Sequence, residues 1–246
     1  MSSQYSIWDL LPEYVQEAEK RNDLTATFRR LDGDKQKQII LTVIDALSES
    51  PAGINIKSVA KQASVSIGSL YQYFGSSDAM VGFCAGFCAY AIEMSFSFFA
   101  AYFDELSLGD ALRVYVSEGI KWSGEERAVL KLFARCAYHG DEQFRESLVR
   151  PVSDSMRGLL GRIFDNAAVR GELKSGIDKN SALRLVNGFL TSLADSALLP
   201  HLNIYFGYFS HENTEETEAQ INAAVDFILR SIAAEQPSEH SAGGTI

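Results

Sequence analysis

Residues 56–74, IKSVAKQASVSIGSLYQYF, concentrate side chains suited to touching nucleic acid. Ser66 can cap a helix while the free N–H groups behind it point at an incoming phosphate. Gly68 carries no side chain, so the backbone there can approach a partner closely. Ser69 can bond a base edge or a phosphate, and Gln72 can bond adenine at two points in the major groove. Tyr71 and Tyr73 offer hydroxyls to phosphate oxygens. Lys57 adds a positive charge one element earlier. With Ile67, which follows the cap, the candidate DNA-contacting set is Lys57, Ser66, Ile67, Gly68, Ser69, Tyr71, Gln72 and Tyr73.

Two short helices must position these groups. Ile56, Val59, Ala60 and Ala63 recur at helical spacing behind Asn55, which predicts a helix over 56–63. Ile67, Leu70, Tyr71 and Phe74 recur likewise behind Ser66, which predicts a second helix over 67–74. That stripe should face inward and leave Gly68, Ser69, Gln72 and Tyr73 outward. A longer helix precedes them, with Asp34 as its expected cap and Ile39, Ile40, Val43, Ile44 and Leu47 as its buried face. Three such helices with a tight turn describe a helix-turn-helix unit.

Charge agrees with that placement. The chain has 246 residues and a formal net charge of −10, yet residues 20–75 hold eight basic against five acidic residues. Local charge meets phosphates, whereas whole-chain charge governs solubility and non-specific association.

The segment INIKSVAKQASVSIGSLYQYFGSSDAM, residues 54–80, resembles the DNA-binding segment of the TetR family of transcriptional regulators. FRRLDGDKQKQIILTVIDAL upstream is similar to that family's first helix and its lead-in. GELKSGIDKNSALRLVNGFLTSL, residues 171–193, more weakly resembles the lead-in to its dimerisation helix. The resemblance implies an all-α homodimer that binds double-stranded operator DNA. Its expected layout is an extension over 1–29, a DNA-binding domain over 30–76, a ligand-binding and dimerisation domain over 77–235, and a disordered tail over 236–246. It also implies that Ser66, Ser69, Tyr71 and Tyr73 occupy positions that touch DNA. The chain departs from the family pattern at Ser64, where Gly is usual in the turn, at Ile67, where a polar or basic residue is usual, and at Ser77, where Lys is usual. Arg29, Arg30, Lys35 and Lys37 are the cations available to compensate.

VGFCAGFCAYAIEMSFSFFAAYF, residues 81–103, carries one charge and has the length of a membrane span. Acidic residues flank it and no Lys or Arg anchors either end, so the expectation is a helix buried in the fold and no membrane partner. In a TetR-like protein this helix joins the DNA reader to a ligand domain. Phe87, Tyr90, Glu93, Phe96, Tyr115, Trp122 and Phe133 are the candidate ligand-binding residues, for a small apolar or amphipathic molecule. Glu93 is the acid that could meet a cationic ligand, pair with Arg127, Lys131 or Arg135, or simply face water.

Cys84 and Cys88 lie four residues apart, and Cys136 and His139 three apart. That spacing leaves a metal or thiol sensor of the same fold as one alternative, although no metal and no cofactor are assigned. A ligand-binding helical protein with weakened DNA binding is another, from Ser77 and Ile67. The N-terminus lacks the basic and apolar regions of a secretory signal, which with three cysteines suggests a cytoplasmic protein. No nucleophile triad, phosphate loop or acid pair stands out, so an enzyme is not expected. Further stripes, Ala182, Val186, Phe189, Leu190, Leu193 and Ala197, then Ile221, Val225, Ile228 and Ile232, are candidates for a four-helix dimer interface, the alternative being that both are spent inside one chain.

Overall fold

A computed structural model describes residues 6–50, 53–140, 142–209 and 214–234; the tail over 236–246 lies outside them. The described residues are all-α, with a lone bridge between Leu173 and Ala233 in place of any strand. A 3-10 turn (Ile7–Leu10) leads into α1 (Leu11–Lys20), whose Leu11, Val15 and Ala18 face inward. α2 (Ala26–Arg29) is a single turn that buries Phe28.

α3 (Gly33–Glu49) buries the five aliphatic residues expected of it. Its cap is Asp32 rather than Asp34: the Asp32 side chain accepts the Lys35 backbone N–H at 2.9 Å, and Asp34 falls inside the first turn. α4 (Ile56–Gln62) is capped by Asn55 and ends one residue earlier than expected, with Ala63 as its terminating residue. α5 (Ile67–Phe74) is capped by Ser66 and closed by Gly75 at a φ of 77°, in the left-handed region that favours glycine.

α6 (Ser77–Ala100) runs on through a 3-10 turn to Glu105. It is long and apolar enough to cross a membrane, yet more than half of its most apolar window is buried inside the fold. α7 (Leu108–Glu125) and α8 (Arg127–His139) follow. α9 (Glu142–Phe144) passes through a π-helical turn (Arg145–Val149) into α10 (Arg150–Val169). Pro151 lacks the N–H that would continue a regular ladder, so the break falls there. α11 (Lys179–Leu198), α12 (Pro200–Phe206) and α13 (Thr214–Ile232) complete the helices of the described residues.

Two apolar cores share α6. The first joins α1, α3, α4 and α5 to the N-terminal half of α6 and to α8. The second gathers α7, α10, α11 and α13, and Phe96 of α6 packs against both. Ala182, Val186, Leu190 and Leu193 of α11 are buried in this second core, as are Ile221, Val225, Ile228 and Ile232 of α13. The stripes offered as a dimer interface are therefore used within one chain, and other faces of α11 and α13 leave Leu185 and Phe227 exposed.

Candidate DNA-reading face and ligand cavity

The turn between α4 and α5 is fixed by short polar contacts. Ser64 sits at a φ of 54°, the left-handed conformation that the family's usual glycine would accept without strain. The Lys35 ammonium donates to the carbonyls of Ala63 and Ser64 at 2.8 and 3.3 Å, tying α3 to the turn. The Ser66 hydroxyl accepts the Ser69 N–H at 2.9 Å and lies 2.8 Å from the Ser69 hydroxyl. At the far end of α5, Thr25 donates its hydroxyl to the Gln72 carbonyl and its N–H to the Tyr73 carbonyl, both at 2.9 Å.

The face that α5 turns outward differs from the expected one. Ile67 and Tyr71 are 37% and 45% exposed, alongside exposed Gly68 and Gln72 and half-buried Ser69. Tyr73, expected outward, is 8% exposed and packs edge-on against Phe28, with ring centroids 5.7 Å apart. Leu70, Tyr73 and Phe74 form an inward stripe at helical spacing just as Ile67, Leu70, Tyr71 and Phe74 do. The tether from Thr25 and the ring of Phe28 select the former.

Ser66, Lys57 and Lys61 are exposed. Of the four supporting cations, Lys35 is committed to the turn, Arg29 pairs with Glu19, and the Lys37 ammonium lies 5.1 Å from the Trp8 ring centre. Arg30 is exposed without a charged partner among the described residues.

Between the two cores lies a cavity of about 560 Å³. α6 supplies Ile92, Phe96 and Phe99, α7 supplies Tyr115 and Trp122, α8 supplies Phe133, and α11 supplies Leu190, Thr191 and Asp195. A neighbouring cavity of about 230 Å³ shares Phe133, Met156, Thr191 and Asp195 with it. Of the expected ligand residues, Phe96, Tyr115, Trp122 and Phe133 line the larger cavity. Phe87, Tyr90 and Glu93 do not. Phe87 is buried against Trp8 and Tyr14, and Tyr90 lies against Tyr14, with ring centroids 5.4, 5.6 and 5.2 Å apart. The N-terminal helix thus covers that end of α6.

Glu93 pairs with none of the three bases offered for it. Lys131 and Arg135 approach Glu49, while Arg127 donates to the Leu198 carbonyl at 3.0 Å. Desolvation and then nearby Asp154 hold the Glu93 carboxyl above its usual range. The acid that does line the cavity is Asp195, accepting a hydrogen bond from the Tyr138 hydroxyl at 2.7 Å. Burial pushes its carboxyl up to about 6, a rise that the Tyr138 bond partly opposes. The Tyr115 hydroxyl is buried with no hydrogen-bond partner among the described residues. Asp195 carries the same sequence signal as Glu93, a lone acid in an apolar helix, and of the two it is Asp195 that lines the cavity.

Cys84, Cys88 and Cys136 are buried, and burial pushes the thiols of Cys84 and Cys88 far above their usual range. A thiol held protonated is a poor nucleophile and a poor metal ligand. Among the described residues, no three His, Cys, Asp or Glu side chains come together as a metal site. His139 is exposed while Cys136 is buried, so that pair does not converge.

No family model and no curated protein matches the sequence. Solved structures match the fold. A TetR family transcriptional regulator from Chloroflexus aurantiacus superposes with a TM-score of 0.62 at 15% identity, covering 86% of this chain and 99% of that one. The chain has the TetR-family fold. The ketosteroid transcriptional regulator KstR2 of Mycobacterium tuberculosis matches with a TM-score of 0.56 at 11% identity, over 84% of this chain and 98% of that one. The transcriptional regulator FadR from Bacillus subtilis, in complex with stearoyl-CoA, matches at 0.54 and 15% identity over 78% and 97%. In the TetR-family layout, α4 and α5 form the helix-turn-helix, and the cavity lies in the C-terminal helical domain.

Proposed function

We propose that the chain is a ligand-responsive transcriptional regulator: a homodimer that reads a palindromic operator, acts as a repressor in the cytoplasm, and is released by a small apolar or amphipathic ligand. One observation carries this reading. α6 lines the cavity at one end with Phe96 and Phe99 and holds the reader helix at the other. There Phe83 packs on Phe74 of α5 and on Phe28, with ring centroids 5.6 and 6.0 Å apart. A ligand that displaces the cavity end of α6 moves α5 through those rings. Operator half-sites lie about 34–36 Å apart, so a shift of a few ångströms between two readers spoils simultaneous docking. The ligand needs only to bind the mis-spaced state more tightly.

The reader offers Gln72 and Tyr71 to the major groove, with Ser66, Ser69 and Lys57 on phosphate. Tyr73 leaves the contact set and supports α5 from behind. Exposed Leu185 on α11 and Phe227 on α13 are the apolar residues this reading places at the two-fold interface. The Bacillus subtilis neighbour, solved with stearoyl-CoA, supports a ligand with an apolar body. Selection from a random duplex pool at about 100 mM salt tests the proposal. Enrichment of a two-fold symmetric sequence is expected; a folded dimer that enriches none overturns it.

A further inference from the structure

The polar end of the larger cavity has an imbalance. Asp195 lines both cavities, and Tyr138 is its hydrogen-bond donor. Among the described residues no Lys or Arg forms an ion pair with it, and no cation offsets its burial. Arg157, which lines the smaller cavity, is bonded to Asp154. Asn187, which lines that cavity with Asp195, has a buried side-chain oxygen with no donor among the described residues. The Tyr115 hydroxyl, in the larger cavity, is likewise buried without a partner among them. Of the charged residues lining the larger cavity, Glu118, Glu125 and Asp195 are acids and Lys121 is the base.

Buried acceptors without donors are costly, and a buried carboxylate without a counter-charge is more so. A carboxylate or phosphate ligand would add to the negative charge. A hydroxyl would supply one donor and no charge. An ammonium supplies several N–H donors and the missing positive charge together. The walls suit it as well, since Trp122, Phe96 and Phe133 line the cavity, and aromatic rings can attract a cation and shelter an apolar body.

We propose that the cavity takes an amphipathic amine, with its apolar body among Phe96, Phe99, Trp122 and Phe133 and its ammonium against Asp195. This rests on the cavity being the ligand site of the proposed regulator. A cavity of this volume falls within the range that encloses drug-sized ligands. The role first assigned to Glu93 on α6 passes to Asp195 on α11.

The test is calorimetric titration of the full chain at pH 7.5 with decylamine, decanol and decanoate, which share a tail and differ in head group. Decylamine should bind at least about tenfold more tightly than decanol, and decanoate weakest of the three. The Asp195→Asn protein should lose the preference of amine over alcohol. Decanol or decanoate binding as tightly as decylamine overturns the amine assignment while leaving the cavity as a ligand site. An amine preference that survives Asp195→Asn overturns the role of Asp195. If none of the three binds, the cavity reading itself fails and this inference with it.

Discussion

Asp195 makes the ligand-free protein less stable at neutral pH than it would be with a neutral side chain there. Its carboxyl is raised from 3.8 to about 6 by burial. The folded chain therefore holds a proton in a pH range where the unfolded chain has released it. Stability falls as pH rises through that window, from near 4 to above 6, and the penalty is complete above it. Two pH units of displacement correspond to roughly 3 kcal/mol at pH 7.5 and to about 1 kcal/mol at pH 4.5.

Asp195→Asn removes the titration and keeps an oxygen that can accept from Tyr138. The amide brings costs of its own, but those do not change with pH. The difference between the two proteins should thus shift by about 2 kcal/mol in favour of the Asn variant between pH 4.5 and 7.5. For a chain of this size that is roughly 4–8 °C in relative Tm. Thermal melts of both proteins at the two pH values, without ligand, measure it. Tyr138 and Tyr115 adjoin the carboxyl, while Glu118, Lys121, Glu125 and Arg157 line the same cavities. A difference between the two proteins that stays constant with pH would refute the assignment of a buried, titrating Asp195.

Four further substitutions probe the scaffold and the reader. A Cβ built on Gly86 would collide with the Tyr14 hydroxyl oxygen; Gly86→Ala should cost about 1–3 kcal/mol in a denaturant melt, and Tyr14→Phe in the same chain should recover much of it. Ser64→Gly relieves a left-handed residue that costs on the order of 1–2 kcal/mol while adding some backbone entropy to the unfolded state, so a net gain of about 0.5–1 kcal/mol is expected in the same melt. Ser77→Lys restores a phosphate-binding cation, and the slope of log affinity against log salt for duplex DNA should steepen by about 0.9.

Much of the reader was legible in the sequence because caps and turns are local chemistry. Asn55 and Ser66 fixed the starts of α4 and α5, and Gly75 stands where α5 ends. The rotation of α5 was not legible, since two stripes satisfied the same spacing and the choice lay with Thr25 and Phe28, more than forty positions away in the chain. Gly82 is exposed, while Gly86 makes room for Tyr14, a contact between distant segments that no spacing rule reveals. Part of the cavity's aromatic lining, Phe96, Tyr115, Trp122 and Phe133, was legible in the sequence. The extent of the cavity along α6 was not, because nothing in that helix said that Trp8 and Tyr14 would cover Phe87 and Tyr90.

The salt-titrated affinity of the chain for an enriched duplex and for a scrambled one, with and without the Tyr71→Ala and Gln72→Ala pair, tests the central claim most directly. The account predicts that the unaltered protein prefers the enriched duplex by at least about a thousandfold. The doubly substituted protein should keep its non-specific, salt-dependent binding and lose most of that preference. An unchanged preference in the doubly substituted protein would contradict the claim that the exposed face of α5 reads DNA.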